Sequence, residues 1–220
     1  MQLGLALVQH PAPLGQDRIR APVQFGRRHI APLVSKFLDA HAGVEVELLL
    51  NDRNVDLIEE GFDLGIRITK LDDSGMIARK LSDFRVYACA TPAFIAENGP
   101  LTHPSELSRI PFLIDTNSRS HNSLRFLDTD GDMISVSVTG PIEVNSPLAT
   151  LRAARAGMGI AMIPDFIARP YLASGELVSL FDDFIAKDRG IYAVYPHRRY
   201  LPAKVRAFVD YLHAWFKRYS

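Results

Sequence analysis

The chain has 220 residues, 47% hydrophobic and 23% charged, and its 25 Lys and Arg balance 25 Asp and Glu at a formal net charge of zero. This composition supplies one or two packed cores and lacks the basic excess that a free-standing nucleic-acid binder sets against phosphates. A single cysteine, Cys89, rules out an internal disulfide and fits a reducing compartment. No run is long and apolar enough to span a bilayer, and the apolar start lacks the basic flank of a secretory signal, so a cytoplasmic protein is expected.

Residues 1–16 read as a separate start, broken by Pro11, Pro13 and Gly15. Ile19, Ala21 and Val23 then alternate as a strand, and Ile30, Leu33, Val34, Phe37 and Leu38 follow at helical spacing until Gly43. Val44, Val46, Leu48 and Leu50 form the next strand. Asn51 or Asp52 is placed to cap a helix carrying Val55 and Ile58 up to Gly61, and Leu64, Ile66 and Ile68 make a third strand. Strand, helix, strand, helix, strand is the order of a parallel sheet with right-handed crossovers.

Residues 84–90 form another apolar run, and Thr91-Pro92 starts a short helix closed by Gly99. Pro104 opens a further short helix, and residues 111–114 are a buried strand. The Asp-Gly step at 130–131, between Phe126-Leu127 and the alternating Ile134, Val136 and Val138, predicts a hairpin. Ser146-Pro147 starts a helix ending at Gly157, residues 159–164 are a strand with a helix from about Asp165, and residues 191–195 are the last strand. Pro202 opens a final helix with the apolar stripe Val205, Phe208, Val209, Leu212 and Phe216.

Motifs that would name an enzyme are missing: no Gly-x-Ser-x-Gly elbow, no phosphate loop and no His-Glu-x-x-His. The aspartates of 128–132 have no closing Glu and read as a solvated turn, and the seven histidines show no metal-ligand spacing. No cofactor, metal or catalytic residue is expected. What repeats instead is a strand running into a polar or glycine turn and then a helix, at 21–26, 50–52 and 144–147. In a parallel sheet such ends share one edge, where ligands bind and helix N-termini favour an anion. Arg67 is read at that edge, where it can hold a carboxylate by two hydrogen bonds or pair with Asp63 or Asp72; the sequence leaves both readings open.

Taken in order, residues 17–32 (DRIRAPVQFGRRHIAP), 55–67 (VDLIEEGFDLGIR), 77–81 (IARKL) with 91–94 (TPAF), 156–164 (AGMGIAMIP) and the tail 194–216 resemble the effector domain of LysR-type transcriptional regulators. The resemblance implies an α/β fold of two Rossmann-like lobes, like type II periplasmic binding proteins. Residues 17–89 with 191–220 would be lobe I, and 90–190 lobe II. It implies a small-molecule effector, often a carboxylate or aromatic metabolite, in the cleft. Its contacts would map to Val23, Gln24 and Phe25, to Asn51 and Asp52, to Asp115 and Thr116, and to Asn145 and Ser146, with Arg67 joining them from the edge argument. Gln24 stands where close relatives often carry a small hydroxyl residue. The family's helix-turn-helix and linker helix are not read in this chain, so DNA is expected to be met only through such a domain. A symmetric homodimer through the first helix and the following strand, against the helix of 146–155, is implied as well. The competing reading from another class is a solute-binding protein of a transporter; a third, an enzyme, has no catalytic constellation behind it.

Overall fold

The computed structural model describes residues 15–53, 56–70, 76–118, 122–128, 130–196 and 201–219. The start at residues 1–14 and the helical reading of Val55 lie outside them. The chain divides into two units: one runs up to Ser82 and resumes at Ile191, and the other is Asp83–Gly190.

In the first unit β1 (Gly15–Ala21) pairs in parallel with β2 (Val44–Leu50) along its whole length, Gly15 opposite Val44 and Ala21 opposite Leu50. Gly15 and Gln16, read from the sequence as part of a separate start, are therefore already strand. On its other side β1 runs parallel to β3 (Leu64–Thr69), with Ile19 opposite Leu64. With β4 (Met76–Asp83) and β12 (Gly190–Pro196) the order is β2-β1-β3-β12-β4, so the chain returns to insert a central strand. Between β1 and β2 the chain is helical without a break: a turn α1 (Val23–Phe25), a π-helical turn Gly26–Ile30, and α2 (Ala31–Ala40). α2 packs against the last helix, α6 (Ala203–Tyr219), through Phe37 and Phe208, whose rings meet edge-on at 4.9 Å. Val205, Phe208, Val209, Leu212 and Phe216 of α6 are all buried, as their spacing predicts.

The helix expected between β2 and β3 is not there in its described part. Residues 57–61 are turns. The Asp56 carboxylate accepts from the N–H groups of Ile58 at 2.7 Å and Glu59 at 3.3 Å, Gly61 takes φ +70°, and the Phe62 N–H closes back on the Leu57 carbonyl at 2.8 Å. That is one capped turn, ended by the left-handed glycine. Leu57 and Phe62 pack with Val194, while Ile58 is 63% exposed. Two buried side chains are too few to define the apolar stripe of a helix.

In the second unit β5 (Val86–Ala90) lies between β10 (Ile160–Pro164) and β11 (Val178–Leu180), antiparallel to both; β10 is parallel to β6 (Phe112–Asp115), and β6 to β9 (Ile142–Val144). Since β5 belongs to this sheet, the chain crosses over after Ser82, not after Cys89 as the lobe boundary drawn from the sequence had it. Neighbouring strand residues point to opposite faces. Ala88, Ala90, Phe112, Ile114 and Ile160 meet α3 (Pro92–Asn98), the 3-10 helix Pro104–Arg109 and the hairpin of β7 (Ser123–Leu127) and β8 (Met133–Ser137). Cys89, Leu113, Ala161 and Ile163 meet α4 (Pro147–Arg155) and α5 (Asp165–Ala173). A sheet covered on both faces is why these strands read as continuous apolar runs. Gly140 lets the chain lie against β6, because a Cβ there would sit 1.9 Å from the Phe112 carbonyl oxygen.

Candidate functional site

The parallel register of the first sheet lines up the ends of β1 and β2, with β3 running on beside them. Ala21 is opposite Leu50 and Arg20 is opposite Gly65. One residue on from Ala21 and Leu50 stand Pro22 and Asn51, and Arg67 stands two residues on from Gly65, the partner of Arg20. The edge residues read from the sequence therefore share one level. Arg67 lies inside β3, two residues before its end at Thr69.

Asn51 donates its N–H to the Ala21 carbonyl at 3.0 Å and accepts the Arg53 N–H on its side-chain oxygen at 2.8 Å. Asp52 accepts the Val23 N–H at 2.9 Å. The first helical N–H, which a ligand anion was expected to find open, is thus already bonded to a carboxylate of the protein. Gln24 is half-buried beside it. Phe25 is 2% exposed, and its ring stacks on Phe216 at 5.8 Å and lies 4.8 Å from that of His29. Its side chain belongs to the core, so only its backbone is available at the edge. Burial, with Arg28 nearby, holds the His29 imidazole below its ordinary pKa, which keeps this aromatic cluster neutral.

Beneath the edge is a group that the sequence reading passed over. Arg20 is 6% exposed, and its guanidinium bonds the Glu60 carboxylate at 3.1 Å and the Arg53 carbonyl at 2.5 Å. Arg18, two residues earlier on the same face, bonds the carbonyls of Glu60 and Gly61 and pairs with Glu47 at 2.8 Å. Both guanidiniums lie over the Phe62 ring, at 4.9 Å for Arg18 and 5.8 Å for Arg20. Their alternation with Ile19 and Ala21 looks like a solvated strand face. Arg20 is covered on that face by the segment between β2 and β3, through Arg53, Glu60 and Phe62, which strand alternation alone does not reveal.

In the second unit Asp115 is opposite Val144, and the Thr116 N–H bonds the Val144 carbonyl at 3.1 Å, so Asp115, Thr116, Asn145 and Ser146 come together at the ends of β6 and β9. The Asp115 carboxylate accepts the Asn117 N–H at 3.0 Å. The Ser146 hydroxyl caps α4 by accepting the Ala149 N–H at 3.3 Å, with Pro147 in the first turn where a missing N–H costs nothing. Thr116 and Asn145 are exposed. The residues of each edge are therefore hydrogen-bond donors and acceptors on rigid strand ends. Among the described residues no His, Cys, Asp and Glu group is arranged to hold a metal.

The profile of the LysR substrate binding domain matches residues 12–217. The chain belongs to this family. The LysR-type domain is 34% identical over 200 residues to the HTH-type transcriptional regulator PtxR of Pseudomonas aeruginosa, a match covering 91% of this chain and 64% of that protein. It thus spans just under two thirds of such a relative. Its structure is similar to full-length AphB, a Vibrio cholerae virulence activator, with a TM-score of 0.80 at 25% identity over 94% of this chain and 70% of that one. It is also similar to the CrgA regulatory domain of Neisseria meningitidis, with a TM-score of 0.76 at 26% identity over 93% and 100% of the two chains. The α/β fold with two sheets is that of LysR regulatory domains, periplasmic-binding-protein-like. These relatives are transcription regulators rather than enzymes or transporter components.

Proposed function

We propose that this LysR-type domain senses a small organic molecule, a carboxylate or an aromatic metabolite, at the carboxyl-end edges of its sheets. Val23, Gln24, Asn51, Asp52 and Arg67 serve on the first, with Phe25 through its backbone, and Asp115, Thr116, Asn145 and Ser146 serve on the second. The observation that carries the reading is the register that brings the ends of β1 and β2 to one level, with β3 running on beside them, at the carboxyl-end edge where open parallel sheets bind ligands. The domain works in the cytoplasm as a homodimer, and DNA is reached through a helix-turn-helix domain. β2 supports the dimer: it is an edge strand, and its Leu49 is 40% exposed.

A thermal-shift series over aliphatic and aromatic carboxylates tests the sensing role. A ligand that binds only the folded state, at a hundred times its Kd, adds about 2.7 kcal/mol. No shift from any acid in the series would remove the carboxylate class. Light scattering tests the dimer: Ser35 is exposed on α2, and Ser35→Glu is expected to weaken association without unfolding the chain, whereas a wild-type monomer at tens of micromolar defeats the claim.

A further inference from the structure

A guanidinium is expensive to bury unless its donors are matched, and the donors of Arg20 are divided in a telling way. One nitrogen meets Glu60; the other meets not a second acid but the backbone carbonyl of Arg53. From there the bonds run in a circuit. The Arg53 N–H goes to Asn51, the Asn51 N–H returns to Ala21 next to Arg20, and Asp52, between Asn51 and Arg53, accepts from Val23. Residues 20–23 and 51–53 are thereby cross-tied, and the tie passes through the amides and side chains assigned to the effector.

We propose that Arg20 is a positioning residue of the effector site: it fixes the turn Asn51-Asp52-Arg53 and, through Asp52, the head of α1. This rests on the sensing role proposed for Asn51 and Asp52. Arg20 touches no effector. Its service is to set the Asn51 and Asp52 side chains beforehand, so that binding does not have to order them. Arg18 provides the contrast within the same strand. It bonds the same loop further on, at the Glu60 and Gly61 carbonyls, and Glu47 on β2, and it makes no bond to the 51–53 turn. A residue that merely fastens the loop would behave like Arg18.

The test is residue-resolved amide hydrogen exchange on the whole chain, for Arg20→Met, Arg20→Lys and Arg18→Met. In Arg20→Met the Arg53 and Val23 amides are expected to exchange about tenfold faster, the loss of one charge-assisted hydrogen bond, while the β1–β2 ladder keeps its protection. Arg20→Lys, which can still reach one carbonyl, recovers part of the protection and serves as the deciding variant if the Met form does not fold. Arg18→Met leaves both amides as they were. Unchanged Val23 and Arg53 exchange in the Arg20 variants, or the same loss in Arg18→Met, overturns the proposal. Calorimetry with benzoate, an aromatic carboxylate probe, is run beside it. If benzoate binds the wild type, the Arg20→Met chain binds it about tenfold more weakly and Arg18→Met equally well; equal weakening in both overturns the positioning role. A wild type that ignores benzoate counts against the effector class proposed above, and the exchange rates still decide the role of Arg20.

Discussion

The two units bury different things. Among the described residues the buried charged side chains, Asp17 and Arg20, both lie in the first unit, while the buried polar side chain of the second is Thr150, which bonds the Pro147 carbonyl within its own helix. The first unit is a sheet whose face toward α6 holds an ion pair and whose other face holds two arginines. The second is a sheet between two apolar cores, with its backbone brought to near contact at Gly140. Buried charge pairing therefore adds a pH-dependent contribution inside the first unit, whereas the interior of the second is governed by volume.

The largest effect is expected from volume. Gly140→Ala brings a methyl group against the backbone of Phe112, which cannot yield as a side chain can, and should destabilise the second unit by about 3 kcal/mol or more. Trp215, the single tryptophan of the chain, lies on α6 in the first unit, so its fluorescence in a urea titration should move less than the circular dichroism of the whole. Coincident shifts would mean that the units unfold together.

Next comes the ion pair. Lys204 lies 3.2 Å from Asp17, whose side chain is 2% exposed. Lys204→Met should cost about 2 kcal/mol at pH 7, less than the ~3–5 of a fully buried pair because Lys204 keeps some solvent. Burial holds the Asp17 carboxyl above its ordinary range although Lys204 pulls the other way. A carboxyl raised in the fold is a cost while ionised, and that cost disappears as pH falls through its folded pKa toward the unfolded one. The deficit of Lys204→Met should therefore shrink on acidification. A constant or growing deficit would contradict the assignment.

The second unit offers the opposite slope on a smaller scale. Glu106 accepts the N–H groups of Thr102 and His103, each at 2.8 Å, and these bonds hold its carboxyl below the ordinary range. Its contribution is present above the unfolded pKa and is lost as pH falls through the folded value. Glu106→Gln should flatten the acid side of the second unit's stability curve; an unchanged curve would show that these bonds add nothing. The smallest effect belongs to Cys89, fully buried in β5 with its thiol pushed up to about 12. Iodoacetamide should label it only at the rate of unfolding, and fast labelling of the native chain would show that the second sheet opens.

Most of the strands and the long helices could be read from periodicity, since β2, β3, β6, β10 and β12 carry runs or alternations of Val, Ile and Leu and β1 alternates Ile19 and Ala21 with arginines. β4, with Arg79, Lys80, Ser82 and Asp83, and the three-residue β11 could not: one is too polar and the other too short for a period to register. The edge residues were legible because turns follow strands at fixed places. What Asp52 does there was not, because its Val23 partner is 29 residues away. Arg20 was hidden for a related reason: alternation shows that a face is polar, and only the path of residues 53–62, 33 to 42 positions away, shows that it is covered.

Since β12 and α6 complete a sheet begun by β1, while Asp83–Gly190 is continuous, the two units cannot mature in the order in which they start. A ribosome delivers the chain from its N-terminus, and β1, β2 and β3 leave it long before the strand that lies beside β3. The uninterrupted second unit can close first, its two ends tied by the Phe84 N–H to the Arg189 carbonyl at 3.1 Å. Until residue 191 onward emerges, the nascent first sheet lacks both β12 and the helix that covers Asp17, Ile19 and Phe37. During synthesis that leaves a transient apolar surface on the first sheet, closed only when β12 and α6 arrive.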